Sequence, residues 1–470
     1  MGRRLFCGRV ALLAGPILAV LVIAAGVRIQ SGPEKRLLGN WYAWSARVHP
    51  PGSREVALVV AVIALVLLWA LVAWLVQTTP ALSRWVSWGA WLWAAPFALA
   101  APFLSRDVYA YAVQGAVMGS GLDPYTHAPS VLGSHDLLVQ AVDPKWRTSP
   151  APYGPLALRL AQLSTAVGGH GVGALVVLRV LAVLSVVGVV LLLRSAAPPH
   201  LHGLVTWLAM SPLTLLQLIA ATHWEAELGL LLVLALVLAR RGQVFWAVLV
   251  AAVACEIKAV GAVVVAALVL DAWRRGGRRV LPQVGCALGA GAVLPVLVYP
   301  GDPWGWVGNL QVAARAWSPY TPASTLFLLL GHLQPGHVAL LSLCRYAVIV
   351  VAALVVVLTL RRRERDVAVS SGVLLLAAIG ALPTVWPWYV APAVLLVLIG
   401  APRLWWWAAG VAGTAALAAL PIATEQAQRV SLAAELVAGV VWLAVCWRSG
   451  RLRSARVSRV LSASRALGHL

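Results

Sequence analysis

The chain predicts an all-α polytopic membrane protein, on three observations. Of its 470 residues, 61% are hydrophobic and only 11% charged, and the mean hydropathy is +0.88, far above soluble averages. Apolar runs of about 20 residues, the length that crosses a ~30 Å hydrocarbon core, recur from end to end. The basic residues stand in small groups between those runs, so the net charge of +21 reads as a topology signal and nucleic acid is not expected as a partner. No separate soluble domain fits, and residues 1–470 are expected to form one transmembrane domain.

The elements follow from the charge. Arg3-Arg4, Arg240-Arg241, Arg274-Arg275 with Arg278-Arg279, Arg361 to Arg363 and the basic tail 448–470 mark the cytoplasmic side. With those groups inside, the apolar runs give about 14 crossings and put both termini in the cytoplasm. The first run resembles a signal peptide, but further spans follow it, which favours a retained helix. Spans at 10–29, 56–76 and 85–104 deliver the chain outside at Ser105. The first outer loop, 105–171, is rich in Pro and Gly and is expected to carry short interfacial helices. A span at 172–194 returns to Arg194. Segments 203–239 and 243–273 each have both ends inside, so each is a hairpin with an outward tip; the arms of the second are short, so its tip is recessed. A span at 280–299 leads to a second outer loop, 300–337. Spans near 338–360, 367–384, 390–402, 404–421 and 430–447 follow, with Trp-Pro-Trp-Tyr (386–389) at an outer turn.

This map puts eleven of the fifteen acids outside: Glu34, Glu55, Asp107, Asp123, Asp136, Asp143, Glu225, Glu227, Glu256, Asp302 and Glu425. Acids steer insertion weakly, so their gathering on one face points to work done there. Most of the 23 tryptophans, Trp85, Trp88, Trp304, Trp306 and Trp405 to Trp407 among them, read as an interfacial belt. The five cysteines show no paired spacing and read as small buried side chains. The tail is expected to meet anionic membrane lipids.

Asp107 is the leading candidate for chemistry. In a helix over 106–118, Asp107, Tyr111 and Gln114 share one polar stripe, with Val108 turned toward the bilayer. Ser105 as a helix cap with Asp107 in the first turn is the plainer reading. Asp123 and Tyr125 in Gly-Leu-Asp-Pro-Tyr, and Tyr153 in the 149–156 run, project from rigid turns and suggest a preorganised pocket. His223 and Glu225 occupy one hairpin tip and Lys258 with Glu256 the other. Ionisable groups near membrane depth default to functional candidates, though a Lys258 ion pair with Glu256 or Glu225 stays open. His223 and Glu225 at i and i+2 are a weak metal signal; no metal site or cofactor is assigned, with a divalent ion left open.

Read in order, SRDVYAYAVQG, GLDPY, the Trp146–Pro155 run, SPLTLLQLIAATHWE, the Lys258 hairpin and WPWY resemble the actinobacterial polyprenol-phosphate-mannose-dependent α-1,6-mannosyltransferases of the GT-C superfamily. The resemblance implies a GT-C-like helical bundle with an extracytoplasmic active site in the plasma membrane, an Arg106–Asp107 pair supplying the catalytic carboxylate, and a role in lipomannan of the cell envelope. Where family members tend to carry His-Asn-Asp, this chain has His223, Trp224 and Glu225.

The residues suit that chemistry. A polyprenyl phosphate is already a good leaving group, so the reaction needs a base for the acceptor hydroxyl and cations for the phosphate. Asp107 is the candidate base; Arg106, Lys258 and Arg315 are candidate phosphate partners. Tyr111, Gln114, Asp123, Tyr125, Tyr153, His223, Glu225, Trp388 and Tyr389 are candidate substrate contacts. The partners are a polyprenyl-phosphate sugar and a glycolipid or glycan acceptor. The competing readings are a GT-C transferase using another lipid-linked sugar, such as polyprenyl-phosphoarabinose, and a transporter or flippase of lipid-linked sugars, which favours midplane charges and inverted repeats.

Overall fold

A computed structural model describes residues 2–418 apart from positions 31, 49–52, 316–317, 319, 331–337, 362–365 and 402–404. The predicted span 430–447, Glu425 and the basic tail lie outside the described residues. The described residues are helical, with no strand: α1 (Gly2–Arg28), α2 (Gly32–Ser45), α3 (Arg54–Thr78), α4 (Ser83–Leu99), α5 (Asp107–Gly119), α6 (Leu137–Ala141), α7 (Pro155–Gly168), α8 (Val172–Ala196), α9 (His202–Ala209), a π-helix (Thr214–Ala220), α10 (Glu225–Arg240), α11 (Val244–Cys255), α12 (Ala262–Gly276), α13 (Leu281–Val298), α14 (Gly305–Ala314), α15 (Pro322–Leu329), α16 (Val338–Arg361), α17 (Val367–Ala381), α18 (Val390–Gly400) and α19 (Trp405–Ala418).

The chain is an all-α membrane protein. Among the described residues, five stretches are long and apolar enough to cross a bilayer: Arg4–Arg28, Arg54–Thr78, Val172–Ala196, Ala259–Val298 and Val338–Arg361. The bent pair Pro199–Ala209 and Thr214–Ala220 makes a sixth if counted as one span. Of the shorter apolar helices, Val244–Cys255 is a short arm of the second hairpin, whereas Val367–Ala381 and Pro387–Gly400 fall where spans 367–384 and 390–402 are expected. Leu13 and Ile17 on α1, Leu67 on α3, Leu184 and Leu191 on α8, and Leu343, Val350 and Leu354 on α16 are exposed, an apolar cover that suits hydrocarbon.

The helices close into a ring. α1 packs on α3 and α4, α4 on α9, α8 on α7, α9 and α10, α10 on α18, and α19 joins α18 back to α3. A second lobe of α11, α12 and α13 leans on α10, and α17 bridges it to α18. Buried indoles are matched: Trp69 Nε1 donates to the Trp207 carbonyl (3.0 Å) and Trp207 Nε1 to that of Trp69 (2.9 Å), tying α3 to α9. One end of the bundle gathers Arg240 with Asp366 (2.5 Å) and Arg275 with Asp271 (3.0 Å). Glu225 lies at the other end of α10, about 22 Å away at 1.5 Å per residue.

Several sequence expectations change. α5 does not lie at an interface with Val108 toward lipid: Val108, Tyr109, Tyr111 and Val113 are fully buried, because α5 packs against α7, α8 and α6. Trp306 is buried against Tyr125 and Tyr299 rather than in a belt, while Trp85 and Trp88 are exposed. Cys7 and Cys286 are exposed on apolar helix faces, and of the described cysteines only Cys344 is buried. α2 went unread between the first two spans, although Gly-Pro-Glu at residues 32–34 carries a helix-start signature.

Candidate functional site

The site is assembled from chain ends and breaks. α5 starts at Asp107, which stands in its first turn as expected, but the cap position is Arg106 and carries no side-chain cap bond; Ser105, one residue before it, accepts from the Asp107 N–H (3.2 Å). Leu104, three residues before Asp107, and Thr222, just before His223, are the two non-glycine residues with positive φ among those described (74° and 60°). A β-branched residue in that region is a true outlier, and such strain clusters at functional sites when its surroundings enforce it.

Arg179 is what enforces it. Placed within the apolar α8 and buried, it donates to the Thr222 hydroxyl (2.7 Å) and to the carbonyls of Phe97 (2.8 Å), Ala98 (3.3 Å), Ala100 (3.0 Å) and Ala220 (2.8 Å). These are carbonyls that the endings of α4 and the π-helix leave without helical partners. One guanidinium thus fixes both approaches to the site. Arg179→Met leaves those acceptors unmatched and is expected to cost roughly 3 kcal/mol or more, read as a lower melting temperature in detergent. An unchanged melt would contradict the clamp.

Asp107 stands against His223, whose Nδ1 is 3.4 Å from its Oδ2 and 3.4 Å from the Tyr111 hydroxyl. A proton on Nδ1 donates to the carboxylate, the arrangement its charge favours. The imidazole is fully buried and stacked on Trp388 (4.0 Å, 14°), so packing fixes the plane of the ring. Burial pushes the Asp107 carboxyl up, but the His223 hydrogen bond and the charges of His223, Lys258 and Lys145 outweigh it and hold the acid below its ordinary value.

Lys258 reaches the same place from the second hairpin. Its Nζ donates to Glu225 Oε1 (2.6 Å) and lies 4.3 Å from the Tyr389 ring centroid and 5.5 Å from that of Tyr153. Burial pulls the ammonium down, but the Glu225 charge, with Tyr389 and Asp107, holds it above the ordinary lysine value. The hairpin tip is locked to the proline-rich loop: the Ala157 N–H donates to the Glu256 carbonyl (3.1 Å), and a Cβ on Gly154 would meet that carbonyl oxygen at 2.5 Å. Gly154 is there because two backbones touch.

Asp107, Gln114, Tyr153, Glu225, Lys258 and Tyr389 line one cavity of about 410 Å³. Leu228, Val260, Val263, Ala378 and Leu382 form its aliphatic wall. Gln114 Oε1 and Glu225 Oε2 are buried without a described partner, so two acceptors remain for a ligand's hydroxyls. Tyr111 and Trp388 stand behind this wall and hold His223 in place, and Tyr111 stacks in turn on Trp224 (4.8 Å).

Other expectations fail for geometric reasons. Asp123 and Tyr125 do not reach the cavity: Asp123 accepts from the Tyr299 hydroxyl (2.7 Å), Tyr125 stacks on Tyr299 (4.9 Å) and its hydroxyl donates to the Tyr153 carbonyl (3.0 Å), so both brace the loop. Arg315 is exposed just past α14 and does not line that cavity. Arg106 pairs with Glu34 of α2 (3.0 Å) and does not line the cavity that holds Lys258. His223 and Glu225 are both buried at the hairpin tip. Sequence reasoning missed Glu34, Trp386 and Arg179; a lone arginine within an apolar span was the signal for the last. Among the described residues no three His, Cys, Asp or Glu side chains converge as a metal site would need.

The chain's relatives carry corresponding names. The model of the alpha-(1->6)-mannopyranosyltransferase N-terminal domain matches residues 12–274, the stretch that holds Asp107, His223, Glu225 and Lys258. Alpha-(1->6)-mannopyranosyltransferase A of Mycobacterium tuberculosis is 28% identical over 326 residues, 63% of this chain and 62% of that protein. Alpha-(1->6)-mannopyranosyltransferase A of Corynebacterium glutamicum is 33% identical over 174 residues, 36% of this chain and 35% of its own. The B protein of the same organism is 33% identical over 156 residues, 32% and 26% respectively. The chain thus spans less than two thirds of the length of these relatives. No solved structure matches it. With the family model covering more than half of its residues, and the candidate cavity's carboxylate and lysine both inside the matched stretch, the chain belongs to the alpha-(1->6)-mannopyranosyltransferase family.

Proposed function

We propose that the chain transfers a mannosyl group from a polyprenyl-phosphate carrier to a carbohydrate hydroxyl at the extracytoplasmic face of the plasma membrane. The observation that carries this reading is that Asp107 and Lys258 line one cavity that also has an aliphatic wall, Leu228, Val260, Val263, Ala378 and Leu382. A lipid-linked sugar phosphate has those three parts in that order: a sugar, an anion and a hydrocarbon chain. Asp107 takes the proton of the acceptor hydroxyl as its oxygen bonds to the anomeric carbon. The bond from that carbon to the phosphate oxygen breaks, and its electron pair leaves with the phosphate. Lys258 offsets the growing charge, and attack opposite the leaving group inverts the anomeric centre. The ionised state of Asp107 suits a base, and the raised Lys258 stays charged throughout.

The test supplies purified protein in detergent with labelled mannosyl- or arabinosyl-phosphopolyprenol and an α-1,6-mannoside. Mannosyl transfer without any membrane gradient is the expected result, and it excludes a pure transporter. Transfer of arabinose alone would overturn the donor assignment, and transfer of neither would overturn the reading.

A further inference from the structure

Asp107 stands in the walls of two cavities. The second, of about 330 Å³, shares Asp107, Trp146 and Trp386 with the first but differs in chemistry. Its walls are aromatic faces: Trp386 and Trp388 are stacked (5.5 Å, 6°), and Tyr320 lies against Trp386 (5.8 Å). Its charges are matched within the wall, Arg106 to Glu34 (3.0 Å) and Lys145 to Asp143 (3.9 Å), and the Lys145 ammonium also caps the Trp386 ring (4.5 Å). Gln30 and Trp388, which both line it, keep one buried polar atom each without a described partner, Gln30 Oε1 and Trp388 Nε1.

We propose that this second cavity is the acceptor site and that it takes a neutral pyranoside ring. The proposal deepens the transferase reading above and rests on it. An aromatic face is the negative pole of the ring quadrupole and attracts the C–H face of a sugar, while an unpaired acceptor and an unpaired donor suit hydroxyls. What separates the two cavities is the aliphatic wall that a polyprenyl chain needs: the first carries Leu228, Val260, Val263, Ala378 and Leu382, the second, among the described residues, only Ile29 and Leu104. The shared wall explains why one carboxylate serves both ligands. An acceptor hydroxyl entering from the second cavity meets Asp107 from the side away from Lys258's cavity.

The experiment measures binding and turnover separately. Full-length protein in nanodiscs without donor is titrated with methyl α-1,6-dimannoside and with mannose 6-phosphate by saturation-transfer NMR, and acceptor and donor KM are measured in the transfer assay. Tyr320 and Lys145 line only the second cavity. Tyr320→Ala is expected to weaken dimannoside binding and raise the acceptor KM about tenfold, with donor KM and polyprenyl-phosphate binding unchanged. Lys145→Ala, at an exposed position where folding is not at risk, moves the same readouts in the same direction by a smaller factor. Dimannoside binding unaltered in both variants, tighter binding of mannose 6-phosphate, or displacement of dimannoside by polyprenyl phosphate alone would each overturn the site. Dimannoside binding that follows Tyr320 in a protein without transfer would uphold the site and strike the transferase reading instead.

Discussion

Asp107→Asn is expected to lower turnover about 100- to 10,000-fold with expression and melting behaviour close to wild type. The amide keeps the size of the carboxylate and can still accept from His223 Nδ1 at the present 3.4 Å, so the packing of the tip is retained. What disappears is the one carboxylate that, among the described residues, lines both cavities. The loss belongs in kcat, because the base acts on the hydroxyl as the bond forms. The pH dependence follows from sign. Asp107 has a folded value below its unfolded one, so its contribution to stability is fully present above the unfolded value and is lost as pH falls through the lowered value. Activity from this group is likewise constant across the neutral range and fails only on strong acidification. An acid limb lying between pH 5 and 8 that vanishes in Asp107→Asn would contradict the assignment, as would near wild-type transfer by that variant.

Lys258→Met is expected to be costly in a different way. Glu225 is 1% exposed, and the Lys258 ammonium 2.6 Å away is its counter-ion. Removing one partner of a buried pair leaves an uncompensated charge, a loss of about 3–5 kcal/mol. Replacing both, as Lys258→Met with Glu225→Gln, removes the stranded charge and should restore most of the melting temperature. Transfer should remain lost in the double variant, since among the described residues no other cation lines the donor cavity to meet the phosphate. Thermal melts and transfer assays on the single and double variants form one cycle. Recovery of transfer together with stability would show that the pair is a structural brace and would remove Lys258 from the chemistry.

Much of the architecture was legible because hydropathy and positive charge act locally. The two hairpins follow from arginines at both ends of 203–239 and 243–273, and the breaks in regular α-helix, the π-helix Thr214–Ala220 with the turn at His223 and the turn from Glu256 to Lys258, sit near their centres. Asp107 was legible as a scarce acid at the end of an apolar run. The partners of these residues were not. Arg106 meets Glu34 72 positions away, and Tyr111 meets His223 across 112. Asp123 and Tyr125 show the same gap from the other side: polar residues on rigid turns look like ligand contacts, yet Tyr299, 176 positions from Asp123, turns them into a brace.

By itself, then, the sequence determined the membrane class and the carboxylate most worth testing, since each depends on composition within about 20 residues. Only the tertiary structure decided that Asp107 and Lys258 share a cavity and that Arg106 is already paired. It also decided that an arginine buried in α8 holds Thr222 in its strained conformation. Those facts depend on how helices close into a ring, where the need of each buried polar group for a partner is met by whichever element packs beside it.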